Sequence, residues 1–312
     1  MAGSDDVAPA AAAGKDSRCG FVAIVGAPNA GKSTLTNALV GGKVSIVTPK
    51  VQTTRARITA IAVYGDAQVI FIDTPGIFVR ASQRLERAMV QAAWSGAVDA
   101  DLVVLLLDTA RGRDADSDAI IAGLRDSGRK AILVLNKIDL VRRPALLELS
   151  ADLNAEGLFT DTFMISAQNG DGVDDLRAHL AAAVPPGPWH YPADQPADIP
   201  ERLLAAEITR EQVFLQLQQE LPYAITVETE AWQERPDGSV RIEQVVYVRR
   251  QSQKGIVLGK RGQRIREIGA AARGELAAVL GRPVHLFLFV KVRDNWPDDP
   301  ERYREMGLEY PG

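Results

Sequence analysis

The sequence predicts an α/β domain, a mostly parallel sheet with helices on both faces, followed by a smaller α+β module. Three observations carry this. Short unbroken apolar runs alternate with helical stretches as far as about Val184, prolines crowd the segment 185–200, and a second set of helices and strands follows that break. Unbroken apolar runs mark strands buried on both faces, as in a parallel sheet between two helical layers. They occupy 21–25 (FVAIV), 69–72 (VIFI), 102–107 (LVVLLL), 131–135 (AILVL) and 163–165 (FMI). The stretch 55–64 (RARITAIAVY) alternates more cleanly and is expected as an antiparallel edge strand.

Six of the 17 prolines fall within 185–200, a density that continues neither a helix nor a central strand, so this segment is expected to be a linker. Beyond it, 201–221 reads as an amphipathic helix with Leu204, Ile208, Phe214, Leu215, Leu217 and Leu221 on one broad face. Strands are expected at 223–232 and 240–248, joined through Pro236, Asp237 and Gly238 as a hairpin. A helix is expected at 263–280 and a last strand at 284–293. The resulting division is a disordered N-terminal tail at 1–17, a first domain at 18–184, the linker, a second domain at 201–293 and a C-terminal tail at 294–312. The first 16 residues are small and polar, with early acids, and match neither a secretory signal nor a basic transit peptide.

Composition narrows the class. Of 312 residues, 46% are apolar and 24% charged, which suits a globular protein with a sizeable core. Mean hydropathy is −0.06, and no apolar run nears the roughly 18 residues of a membrane helix. The single cysteine, Cys19, cannot close an internal disulfide. A net charge of −4 means that any nucleic-acid binding must come from a local basic patch. His179, His190 and His285 are too scattered for a metal site.

Residues 26–33 read GAPNAGKS, which satisfies G-x-x-x-x-G-K-[ST] between a strand and an apolar helix start. In such a loop the backbone of Gly26, Ala27, Pro28, Asn29, Ala30 and Gly31 wraps around phosphate oxygens, every residue but Pro28 having an N–H to offer, and the helix start at Thr34 adds its dipole. Lys32 is placed to reach the β- and γ-phosphates, and the Ser33 hydroxyl to hold magnesium. A second phosphate-side element, Asp73, Thr74, Pro75 and Gly76 (DTPG), follows its own strand 47 residues after Gly26. There Asp73 can meet magnesium through water, and the Gly76 N–H can approach the γ-phosphate.

Asn136, Lys137, Ile138 and Asp139 (NKID) end another strand, at the sheet edge where open α/β folds bind ligands. The Asp139 carboxylate, acceptor-only, can take guanine N1–H and N2–H₂ together. Adenine would leave it desolvated and unmet, a strong ground for rejection. Ser166 and Ala167, after the 163–165 run, supply a further loop beside the base.

GAPNAGKS, QTTR at 52–55, DTPG, NKID and ISA at 165–167 resemble, in this order, a translation-factor-class GTPase and the Era family in particular. The fold this implies is a P-loop GTPase domain followed by a type II KH domain. Within the family the threonine pair is the first switch, with Thr54 rather than Thr53 expected as the second protein ligand to magnesium. Lys32, Thr54 and Gly76 are the expected catalytic contributors. Ile77 stands where Ras-type proteins carry the water-orienting glutamine, and an isoleucine cannot hydrogen-bond a water. Asn29 is where related potassium-dependent GTPases help hold a potassium ion, in place of an arginine finger worth about 10³–10⁵ in rate.

Residues 249–266 (RRQSQKGIVLGKRGQRIR) hold seven basic side chains and no acid, an electrostatic footprint for a phosphate backbone. Gly259, Lys260, Arg261 and Gly262 form a G-x-x-G at the entry to a helix. The element order helix, strand, strand, G-x-x-G helix, helix, strand resembles a type II KH domain, whose G-x-x-G loop clamps about four nucleotides of single-stranded RNA. The candidate RNA contacts are Arg249, Arg250, Lys254, Ile256, Gly259, Lys260, Arg261 and Gly262. Ile256, Val257 and Ile265 are read either as an apolar floor under the bases or as core.

The resemblance implies GTP and GDP as ligands with magnesium and potassium ions. It also implies the 3′ end of small-subunit ribosomal RNA as partner, a role in small-subunit assembly, a cytoplasmic setting and peripheral contact with the inner face of the cell membrane. No polybasic amphipathic helix supports the membrane contact, and DNA is not expected. An alternative is an RNA-binding protein with a structural guanine nucleotide that is never hydrolysed; Thr53, Thr54 and DTPG together speak against it. A membrane-remodelling or tRNA-modifying GTPase fits less well, because the chain carries one GTPase domain, no membrane helix and no cysteine near its C-terminus.

Overall fold

The computed structural model describes residues 17–50, 53–55, 58–78, 84–217 and 224–310. All but Ser17 of the expected tail at 1–17, Gln52 of QTTR and residues 218–221 of the expected helix lie outside the described residues. Two compact units divide the chain. The first comprises the chain up to Gly42, Ile58–Asp73 and Trp94–Asp198; the second comprises Lys43–Arg57, Thr74–Ala93 and Ile199–Gly312.

The first unit is a seven-stranded sheet. Its strands are β1 (Arg18–Gly26), β2 (Ile58–Tyr64), β3 (Ala67–Asp73), β4 (Leu102–Asp108), β5 (Ala131–Asn136), β6 (Phe159–Met164) and β7 (Ala197–Asp198), in the order β6-β5-β4-β1-β3-β2-β7. Neighbours from β6 to β3 are parallel, whereas β2 runs antiparallel to β3. The apolar runs become the central strands because both faces are covered, and all seven residues of β3 are buried. The alternating stretch becomes β2, though it is not the last strand: the two-residue β7 pairs beyond it. Helices α1 (Lys32–Val40), α3 (Ala115–Asp126), α4 (Arg143–Asn154) and α5 (Val173–Ala183) belong to this unit, and α2 (Arg84–Asp99) begins in the other. Asp114 caps α3, its carboxylate accepting from Ser117 N at 2.9 Å.

The proline-dense segment expected as a linker is tied to the sheet. The buried Gln68 side chain donates to Tyr191 O (2.8 Å) and accepts from His190 N (2.9 Å) and Tyr191 N (3.0 Å). One polar side chain inside β3 thus ties the segment to the sheet and leaves β7 free to pair.

The second unit contains α6 (Glu201–Gln216), β8 (Ile225–Glu234), β9 (Val240–Val248), α7 (Gln251–Leu258), α8 (Gln263–Leu280), β10 (Val284–Val292) and α9 (Pro300–Glu305). Strand order is β10-β9-β8, with β8 and β9 an antiparallel hairpin and β10 parallel to β9. One core packs Val213, Ile225, Val246, Val257, Ile268 and Val290. The chain after 293 is not a loose tail. Trp296, Tyr303 and Leu308 are buried with Leu85, Met89, Val245 and Tyr247. Among the described residues no helix is long and apolar enough to cross a membrane.

Candidate nucleotide site and RNA-facing loop

The parallel strands of the first unit end at one edge of its sheet, and the predicted residues gather there. Gly26 closes β1, Asp73 closes β3 and Asn136 closes β5. Between β1 and α1 the carbonyls of the loop are taken up by side chains, and Ala30 N donates to Ala27 O (3.3 Å) within it. Lys32 Nζ donates to Gly26 O (3.0 Å) and Ala27 O (2.9 Å), and Asn136 Nδ2 donates to Ala30 O (2.8 Å). Gly31 has φ +99°, and a Cβ there would lie 2.4 Å from Asn136 Nδ2. Only glycine allows that approach.

Lys32 is 6% exposed, and burial pushes its ammonium down to about 8, with the Asp73 carboxylate partly offsetting the fall. Ser33 sits in the first turn of α1, and Asp73 is fully buried. Among the described residues no three His, Cys, Asp or Glu side chains could hold a metal by themselves. A hydroxyl and a carboxylate are hard oxygen donors that fit magnesium completed by phosphate oxygens and water.

The base-reading turn is fixed from two sides. Lys137 adopts a left-handed φ of +65°, and Ile138 N donates to Ile165 O (3.2 Å). Ala167 N donates to Asn136 Oδ1 (3.0 Å), so the loop after β6 grips the same asparagine that holds Ala30. Asp139 is exposed and borders a pocket of about 450 Å³ with Ile138, Arg143, Met164 and Asp171. Sequence reasoning missed Asp108, Thr109 and Arg111 just after β4. Their signal was position, since the carboxyl end of every neighbouring strand already carried a motif.

Thr53, Thr54, Thr74, Pro75, Gly76 and Ile77 fall in the second unit. The Thr53 hydroxyl donates to Lys50 O (2.7 Å) and meets Thr48 Oγ1 at 2.6 Å, while Thr54 is buried. This stretch lies on α6. Val47 N donates to Glu211 Oε1 (2.7 Å), Lys43 pairs with Glu211 and Glu275, and Arg210 donates to Thr53 O. Burial raises the Glu211 carboxyl, opposed by Lys43 and Val47 N. Arg55, 1% exposed, donates to Ile225 O (2.8 Å) between the rings of Phe214 and Trp296, at 5.6 and 5.7 Å.

In the basic segment, α7 ends in the G-x-x-G loop. Gly259 and Gly262 have φ +68° and +74°; a Cβ on Gly259 would lie 2.6 Å from Arg264 Cβ, whereas Gly262 faces open space. Arg249, Arg250, Lys260 and Arg261 are exposed, Lys254 is half-buried, and Ile256 is 56% exposed. Val257 is fully buried in the core and Ile265 packs against it, so of the three apolar candidates only Ile256 faces outward.

Residues 21–137 match the family described as 50S ribosome-binding GTPase, and residues 220–297 match the KH domain family. The chain is 59% identical to GTPase Era of Sinorhizobium medicae over 99% of both chains. It is 61% identical to that of Agrobacterium fabrum over 94% of this chain and 92% of the other. The chain belongs to the Era GTPase family. Among solved structures, Era in complex with MgGDPNP and nucleotides 1506–1542 of 16S ribosomal RNA superimposes with a TM-score of 0.88, at 37% identity, covering 93% of this chain and 99% of that one. A point variant of Aquifex aeolicus Era bound to GDP·AlF4⁻ gives a TM-score of 0.87 at 38% identity, with the same coverage. The Era G domain and KH domain are thus both represented, and hydrolysis of GTP is the activity of the family.

Proposed function

We propose that this Era protein binds and hydrolyses GTP with magnesium, and that its KH domain binds single-stranded RNA at the 3′ end of small-subunit ribosomal RNA during subunit assembly. The observation that carries the nucleotide half is the gathering of phosphate loop, Asp73 and NKID at one sheet edge, with a buried Lys32 held against its own loop. The RNA half rests on an exposed basic G-x-x-G loop, together with the RNA in the related solved structure.

In this reading Lys32 leaves the Gly26 and Ala27 carbonyls for the β- and γ-phosphate oxygens. Ser33, Asp73 and Thr54 hold magnesium, which neutralises charge on the transferred phosphoryl group. Gly76 offers its N–H to the γ-phosphate, whereas Ile77 is 3% exposed and apolar, so it orients no water. Asn29, at the exposed loop tip, would help hold potassium. Asp139 selects guanine. On the RNA side, Gly259 and Gly262 let backbone approach phosphates, Lys254, Lys260, Arg261, Arg249 and Arg250 supply charge, and Ile256 meets a base. The setting proposed is cytoplasmic; binding to anionic vesicles would test contact with the membrane face.

GTP turnover, measured with and without a single-stranded RNA of small-subunit 3′ sequence, in potassium and then in sodium, tests this. We expect slow turnover that rises with RNA and is faster in potassium. Equal rates in the two salts would remove potassium alone, and no turnover under any condition would overturn the hydrolytic reading.

A further inference from the structure

Every carbonyl from Gly26 to Ala30 accepts a hydrogen bond from a side chain. Lys32 takes Gly26 and Ala27, and Asn136 takes Ala30. The middle two depend on the turn after β4. Arg111 Nη1 donates to Pro28 O at 3.1 Å. Lys137 Nζ donates to Asn29 O at 2.8 Å and is itself paired with Asp108 Oδ2 at 2.6 Å. The turn is rigid. Asp108 Oδ1 accepts from Ala110 N (3.0 Å), Thr109 Oγ1 donates to Asn136 O (2.8 Å) and Lys137 O (3.1 Å), and Arg111 is paired with Asp114 at 2.6 Å.

A planar trans peptide points its N–H opposite to its C=O. Drawing the carbonyls of Pro28 and Asn29 to one side therefore fixes both peptide planes, and with them the direction of the Asn29 N–H and the bond of Ala30 N to Ala27 O (3.3 Å) inside the loop. Asn29 also holds φ +63°, a left-handed conformation that asparagine tolerates better than most residues and that the bond from Lys137 to its carbonyl helps hold. Lys137 has φ +65° itself, and its ammonium has Asp108 as carboxylate partner.

We propose that Asp108 and Arg111 are positioning residues of the nucleotide site, holding the phosphate loop preset for the polyphosphate of a guanosine di- or triphosphate. Arg111 acts directly on Pro28, and Asp108 acts through Lys137 on Asn29. This rests on the guanine-nucleotide reading above and adds a further element to its five motifs.

The test is the dissociation rate of fluorescent GDP from the full chain, beside the nucleotide-free melting midpoint. Arg111→Ala removes a largely exposed side chain and leaves the fold intact. Asp108→Asn keeps the acceptor for Ala110 N but removes the partner charge of Lys137. Each should speed GDP release about tenfold, with preference for guanine over adenine unchanged because Asp139 reads the base. Arg111→Lys should restore part of the loss. Arg113→Ala, whose partners are Asp118, Asp152 and Glu156, should release GDP at the wild-type rate. In a Lys137→Met background, Asp108→Asn should add nothing further, whereas a general structural role would add its full effect and lower the melting midpoint in step. Wild-type release rates in both single variants, or full additivity with Lys137→Met, would overturn the proposal. A wild-type protein that binds no GDP would instead overturn the nucleotide reading beneath it.

Discussion

The buried Lys32 ammonium donates to two backbone carbonyls and feels the field of Asp73, and its proton is held more weakly than in the unfolded chain. Between about pH 8 and 10.5 the unfolded state therefore binds more protons, so the stability of the nucleotide-free protein should rise with pH across that window. Phosphate oxygens would restore the proton. Calorimetry of GDP binding near pH 9, in two buffers of different ionisation heat, should show proton uptake by wild type and none by Lys32→Met, which should also lose measurable hydrolysis. Absence of uptake in the wild type would mean that Lys32 does not meet the phosphates. In the proposed reading the base is recognised by a different charge. Asp139→Asn turns an acceptor into a group that can donate to the 2-oxo of xanthine, so preference should move from guanosine toward xanthosine triphosphate by roughly 10²–10⁴. Undiminished preference for GTP in competition binding would refute the role of Asp139.

Among the elements, α6 and the β8–β9 hairpin share a buried polar contact that specifies how they pack. Thr209 Oγ1 donates to Gln244 Oε1 at 2.6 Å, Gln244 Nε2 donates to Thr229 Oγ1 at 3.1 Å, and Thr209 and Gln244 are fully buried. Thr209→Val keeps the shape but strands the Gln244 carbonyl, which should cost about 1–3 kcal/mol in denaturant unfolding. A neutral effect would mean that water replaces the threonine. These contacts also show what sequence could and could not reveal. The central strands and Gln263–Leu280 were legible because burial on two faces, or on one helical stripe, imposes a period on the chain. The motifs were legible because phosphate and base recognition require particular residue types at strand ends. Trp296, Tyr303 and Leu308 carry no period, and their partners Leu85, Met89 and Tyr247 are remote in sequence. The role of Gln68 was hidden for a similar reason, since nothing within β3 announces that its amide serves residues 190 and 191. Val257 lay inside the basic segment and read equally as floor or core; the packing of α7 on the sheet decided for core.

At the scale of the whole molecule the net charge is −4, yet residues 249–266 carry seven cations and no acid. RNA affinity should therefore depend on this one segment and fall steeply with salt. For single strands the slope of log K against log salt is about −0.7 per phosphate neutralised, so five contacts imply about −3.5. Neutralising Lys260 or Arg261 alone should weaken binding modestly and flatten that slope by about one contact's share. The most direct measurement is binding of a single-stranded RNA of small-subunit 3′ sequence to Gly262→Asp, across a salt series, with GDP titrated into the same preparation. Gly262 faces open space, so the aspartate fits sterically, and aspartate tolerates a left-handed backbone better than most residues. Its effect should come from a carboxylate set where a phosphate belongs. RNA binding should collapse while GDP affinity stays at the wild-type value; undisturbed RNA binding would contradict the assignment of the G-x-x-G loop as the RNA clamp.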